Sequence, residues 1–190
     1  DVGAFSFFPG KNLGAYGDAG IVTTSNADLA ARMKKLVDHG RMSKYTHDIV
    51  GFNYRIDALQ AAILSVKLRH LKEWTSERQE RAHTYSRLLQ GARVQLPVEK
   101  FGHVYHLYVI QCDNREALAQ ALKGKGIATG VHYPVPLHLQ PCFKGLPGTG
   151  PGKLPVTERL VERILSLPMF PELTGEQQAR ICQAIRETVG

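Results

Sequence analysis

The chain has 190 residues, 43% of them hydrophobic and 22% charged, which is enough to bury a core as one domain or one and a half. Its three cysteines, Cys112, Cys142 and Cys182, lie far apart with no CxxC among them, which argues against a disulfide framework and a four-cysteine zinc site and makes a reducing cytoplasm the expected setting. The formal charge of +7 is spread along the chain, so it suits an anionic ligand without making a nucleic-acid binder, and no stretch approaches the roughly 18 apolar residues that a membrane helix needs.

The first residues, DVGAFSFF, read as a strand with no polar lead-in, as a continuation of something would. A strand over about residues 3 to 8 is expected to pair with a second, AGIVTTS, across the Gly-rich turn around Lys11. Asn26 is placed to cap a helix through DLAARMKKLVDHG, with Leu29, Met33, Leu36 and Val37 on one face and Gly40 as its stop. Residues 40 to 54 carry no clean period. Asp57 then caps one long helix running to Gly91, whose charged second half reads as solvated, so that 58 to 91 would connect two domains, 1 to 57 and 92 to 190.

Beyond Val94 the rhythm changes. HVYHLYVIQC reads as a buried strand, NREALAQALKGKG as a helix capped by Asn114, and IATGVHY as another strand, which predicts a small β/α unit with a right-handed crossover. The stretch PVPLHLQPCFKGLPGTGPGKLP is too rich in proline and glycine for regular structure and is expected as a surface loop. Helices are expected at VTERLVERIL and at TGEQQARICQAIRETV, where Thr174 and Gln177 have capping-box spacing. The aromatic scatter of Trp74, Tyr105, His106 and Tyr108 reads as packing rather than a base-stacking platform.

The chemistry centres on SFFPGKNLGAYGDAG. A phosphate-cradling P-loop fails, because Phe5 and Asn12 stand where it needs Gly and Ser or Thr, and GAYGDAG is not a dinucleotide GxGxxG. By the residues alone, Lys11 is either a solvated turn lysine or an amine whose partial desolvation favours the neutral form that attacks a carbonyl. His132, His138 and Cys142 permit a metal reading on paper, but no fourth ligand is evident.

That run, followed in order by HGR, Tyr45, His47, GFNYRIDALQAAIL, HLYVI, GVHYPVPLHLQP and SLPMFPEL, resembles the pyridoxal phosphate (PLP) aminotransferases of nucleotide-linked keto sugars, the DegT/DnrJ/EryC1/StrS family, over essentially the whole chain. The resemblance implies an α/β fold of the fold-type I PLP-dependent transferases, like aspartate aminotransferase, with the end of the large domain followed by the small C-terminal α/β domain. It implies that Lys11 holds PLP as a Schiff base and moves the proton during transamination, that Ser6 bonds the cofactor phosphate, and that Asn53 reaches the phosphate from the neighbouring subunit of a homodimer with shared sites. His39 and Tyr45 would lie at the site mouth near the nucleotide-sugar, and His132, Tyr133 and His138 on a sugar-facing loop. The amino donor would be one such as glutamate, and the sugar carbon aminated C3. Family members are about twice this length, so the missing N-terminal half would have to supply the aspartate on the pyridine nitrogen, the group stacked on the ring and the rest of the phosphate site. Related enzymes that dehydrate carry histidine in place of the lysine. A non-catalytic regulatory or binding relative of the same family stands as the alternative function.

Overall fold

A computed structural model describes residues 1–190. The chain folds as two compact units, Asp1–Glu73 and Trp74–Gly190.

In the first unit β1 (Val2–Ser6) and β2 (Gly20–Thr24) pair antiparallel, with Ser6 opposite Gly20 and Val2 opposite Thr24, as the alternation of the two runs predicts. Helix α1 (Ala27–Val37) starts where Asn26 Oδ1 accepts the Leu29 N–H at 3.0 Å. It stops as the chain turns through His39 and Gly40, both left-handed, and a Cβ on Gly40 would lie 1.7 Å from the Ile49 carbonyl oxygen. The apolar face of α1 is not buried, contrary to its pattern; Met33, Leu36 and Val37 line an open groove of about 920 Å³ together with Phe5, Ile21 and Val22 of the hairpin. Ala15 and Leu64 are the buried apolar residues of this unit.

The single helix expected from 58 to 91 is two, α2 (Ala58–Leu68) and α3 (Leu71–Leu89). At the junction Arg69 N–H turns to Val66 O and His70 N–H to Lys67 O, three-residue closures that end the regular ladder. The charged second half of this stretch is not solvated all round. Arg78, Ala82, Tyr85 and Leu89 recur at helical spacing and are buried, so α3 lays a narrow apolar stripe on the core of the second unit while its charges face outward.

That core is built on β3 (Tyr108–Gln111), α4 (Arg115–Gly124), α5 (Pro155–Val161), β4 (Ile164–Leu167) and α6 (Gly175–Val189). Tyr108 and Ile110 point inward from β3, and Leu118 and Leu122 meet them from α4. Asn114 caps α4, and Thr174 with Gln177 closes a full capping box on α6. β3 pairs antiparallel with β4, Tyr108 opposite Leu167, and Gly130 of the expected strand IATGVHY bridges the same β4 antiparallel, so that segment runs parallel to β3 with β4 inserted between them. Residues 127–133 give only one bridge, Gly130 to Ser166. β4 begins at the last two residues of the run expected as helix VTERLVERIL, and its four residues, ILSL, are too few for periodicity to separate strand from helix turn. β3 is shorter than expected because Tyr105, at φ 40°, takes the left-handed conformation and breaks the strand ahead of it. No helix is long and apolar enough to cross a membrane.

Candidate active site

Ser6 ends β1, and the chain leaves the sheet in a tight turn that carries Lys11. Ser6 Oγ accepts the Phe8 N–H at 3.3 Å, and the Lys11 N–H donates to Phe8 O at 2.9 Å, so hydroxyl and lysine are set by the same few peptides. Farther along, Ala15 N–H returns to Phe7 O at 2.8 Å. Gly14 is required by space: a Cβ there would lie 2.3 Å from Pro9 O and 2.9 Å from Phe8 O. Helix α2 braces the turn from outside, with Lys67 Nζ donating to Gly14 O at 2.5 Å and Gln60 Oε1 accepting the Tyr16 N–H at 2.8 Å. Lys11 is half-buried on this braced turn and Ser6 exposed beside it.

His39, Tyr45 and Asn53 belong to one irregular loop, and the structure gives each a different post. His39 sits at its base, its N–H bonded to Phe52 O at 2.8 Å, while its carbonyl accepts a bond from His47 Nδ1 at 2.8 Å. Asp38 ties the base together: Arg41 beside it, with Arg55, holds its carboxyl below the usual carboxylate range despite some burial. Tyr45 is exposed at the far end, with Lys44 Nζ over its ring. Asn53 bridges Asp38 through the backbone, and its side chain is exposed between Phe52 and Tyr54, whose rings stack 4.9 Å apart.

In the second unit His132 and Tyr133 line a cavity of about 600 Å³, joined by a cis peptide and facing Gln140, Thr157 and Leu160 across it. Most of its wall is apolar and it carries no charged side chain. His138 does not line it. Its ring is buried, and Nε2 donates to Glu158 Oε1 at 2.9 Å. The same carboxylate accepts the N–H groups of Gly152 at 2.9 Å and Leu154 at 3.2 Å, and these bonds, Gly152 first and His138 next, hold it below the usual carboxylate range. Glu158 thus closes the Pro–Gly loop, a role that only the fold reveals. No three His, Cys, Asp or Glu side chains cluster so as to hold a metal ion, and His132 and His138 each bond elsewhere.

A hairpin that presents a braced lysine, followed by a small α/β unit, defines the class: the end of the large domain and the small domain of a fold-type I PLP-dependent transferase. The chain belongs to the DegT/DnrJ/EryC1/StrS aminotransferase family, whose profile matches residues 1–186. It is 49% identical over 188 residues to the pleiotropic regulatory protein of Geobacillus stearothermophilus, covering 96% of this chain and 50% of that protein. It is 45% identical over 191 residues to the UDP-N-acetyl-3-dehydro-alpha-D-glucosamine 3-aminotransferase of Acidithiobacillus ferrooxidans, covering 100% of this chain and 51% of that one. Among solved structures, NtdA of Bacillus subtilis with bound cofactor PMP matches at a TM-score of 0.89 and 30% identity, over 100% of this chain and 46% of that chain. The chain therefore spans about half the length of the curated relatives it matches.

Proposed function

We propose that this chain carries the lysine-bearing half of a PLP-dependent aminotransferase that converts the ketone of a nucleotide-linked sugar to an amine at C3, with glutamate as donor. The observation that carries the reading is the braced turn: two side chains of α2 hold the end of the turn that carries Lys11, Gln60 at the Tyr16 N–H 44 residues away and Lys67 at the Gly14 carbonyl 53 residues away. A surface lysine needs no such support.

The residues present fit the cofactor. Ser6 offers a hydroxyl to a phosphate at the same turn where Lys11 offers an amine, and the exposed Asn53 amide is available to a second subunit, so a dianion meets neutral donors and one cation. When bound, PLP supplies the electron sink that lets an amino group leave one substrate and join another. Lys11 would hold it through its amine and, once displaced by the amino donor, would take the proton from the donor's Cα and deliver it to the cofactor. His39 and Tyr45 stand at the mouth for the nucleotide, and His132 and Tyr133 meet the sugar, while His138 contributes through the loop that it anchors. The complete site is shared between two chains of a homodimer. Its pyridine partner and remaining phosphate donors come from the N-terminal half found in the relatives, and that half covers the open apolar groove beside the hairpin. A regulatory role would give the braced lysine turn no task.

The test is to supply the full-length protein with PLP, reduce with borohydride and map the adduct by peptide mass spectrometry. The adduct is expected on Lys11. Lys11→Ala is expected to lose both adduct and amino transfer with its melting temperature unchanged, and full turnover by that variant would overturn the mechanism.

A further inference from the structure

His132 is exposed on a loop, yet one side of its ring is fixed. Nδ1 lies 2.9 Å from Ser166 Oγ, and Ser166 is a buried residue in the middle of β4, only 4% exposed. Both backbone groups of Ser166 are already used against Gly130, whose N–H donates to Ser166 O at 3.1 Å and whose carbonyl accepts the Ser166 N–H at 2.8 Å. The ring then folds back over Gly130 itself: a Cβ at that position would lie 2.7 Å from His132 Cε1. Gly130 is thus held against β4 through its backbone, and the chain just beyond it brings the His132 ring back to Ser166 of that strand.

We propose that Ser166 and Gly130 together are a positioning device for His132, which presents Nε2–H as a hydrogen-bond donor to an oxygen of the bound sugar. The buried Ser166 hydroxyl has one acceptor in reach, Nδ1, and a buried hydroxyl left without an acceptor is costly, so Ser166 donates and the ring keeps its proton on Nε2. The cavity beside His132 has polar points at Tyr133, Gln140 and Thr157 and no charged wall, which suits a neutral hydroxyl or carbonyl oxygen rather than the diphosphate. A fixed tautomer discriminates, since a site that donates a hydrogen bond loses it to any sugar lacking the acceptor. This inference rests on the reading of His132 as a sugar contact and adds what sets its orientation and polarity.

Two variants reach the same hydrogen bond by different routes. Ser166→Ala removes the partner and only reduces volume. Gly130→Ala keeps Ser166 but displaces the ring, which swings away because it is a side chain and the added Cβ is not free to move. In the full-length holoenzyme at about pH 8.5, well above the ordinary imidazole range, the ¹⁵N shifts of His132 are expected to report protonated Nε2 in the parent and a mixture of tautomers in both variants. Steady-state kinetics are expected to show a rise in KM for the sugar of about 5- to 20-fold, the loss of one hydrogen bond, with KM for the amino donor unchanged. Ser166→Thr, which keeps the hydroxyl, is expected to restore the Nε2–H signature. A parent spectrum with the proton on Nδ1, or one that Ser166→Ala leaves unaltered, overturns the device. Altered tautomers with an unchanged sugar KM overturn the donor role at the sugar, while the aminotransferase reading is judged separately by the adduct on Lys11.

Discussion

Replacing Gly14 with alanine tests the turn that holds Lys11. The new Cβ would lie 2.3 Å from Pro9 O, 2.7 Å from Pro9 C and 2.9 Å from Phe8 O, all backbone atoms, and real Cβ contacts essentially never fall under 3.0 Å. The turn must therefore open by at least about 0.7 Å at Pro9. Phe8 O is the acceptor of the Lys11 N–H, and Gly14 O is the acceptor of Lys67, so the shift loosens both the lysine and its brace. Overpacking of this kind costs about 1–3 kcal/mol, which shifts the closed-to-open ratio of the turn by about 5- to 150-fold. Gly10→Ala is the control in the same turn: its Cβ would meet nothing nearer than the Phe8 ring at 3.6 Å. With PLP titrated into the full-length protein, followed by absorbance and by the yield of borohydride-fixed adduct, Gly14→Ala is expected to weaken cofactor binding by up to that factor. Gly10→Ala is expected to stay within about twofold of the parent, since added atoms with room cost little. Parent affinity in Gly14→Ala, or an equal loss in both variants, would refute the argument that turn geometry sets the lysine.

Two further predictions concern the second unit. Leu89, at the end of α3 on its inward stripe, is fully buried, so Leu89→Ala is expected to lower the stability of the full-length protein by about 2–5 kcal/mol, read as a drop in urea midpoint at unchanged m-value; a change under about 1 kcal/mol would mean that the charged half of α3 is not part of the core. Burial pushes the Cys182 thiol up to about 11 from 9.0 and the Tyr108 phenol up to about 12 from 10.0. Both groups stay protonated in the fold after the unfolded chain has begun to lose their protons, so their contribution is whole below about pH 9 and fades as pH rises toward 11 and 12. The urea midpoint is expected to fall between about pH 8 and about pH 10.5, and to fall less in Cys182→Ala; an equal fall in the variant would exclude the thiol as a cause.

What the sequence disclosed depended on how far apart the cooperating residues are. The caps at Asn26, Asn114 and Thr174 were legible because each bonds a group three residues away, and the hairpin was legible because two short alternating runs flank one turn. The brace on the lysine turn was not, since Gln60 lies 44 residues from Tyr16, and no property of Gln60 in the sequence sets it apart from a surface residue. The two histidines of the Pro–Gly stretch make the same point more sharply. In the sequence His132 and His138 look alike, six positions apart beside prolines. In the fold, Ser166, 34 residues on, fixes one ring at the wall of a cavity, and Glu158, 20 residues on, draws the other into the interior. Their partners arrive on β4 and α5, and β4 was itself hidden because ILSL has the length at which an apolar run reads equally as helix or strand.

The charged half of α3 misled for a related reason. Its mean composition is polar, but a packed helix needs only one stripe, and Arg78, Ala82, Tyr85 and Leu89 supply it at spacings of four, three and four. Arg78 belongs to that stripe because its head finds acceptors there, Nη1 donating to Met169 O at 3.0 Å and to Tyr105 O at 3.3 Å, although its buried Nε has no partner. Burial nonetheless pulls its guanidinium below the ordinary arginine value. The left-handed turn at Tyr105 that ended the expected strand is thus also what brings its carbonyl to this arginine. An arginine that binds two carbonyls from segments on either side of β3 and β4 ties α3 to the sheet as a hydrophobic residue could not, because it satisfies backbone acceptors that would otherwise be buried without a donor. Reading the second half of this stretch as solvated therefore failed at a residue whose charge made it look so.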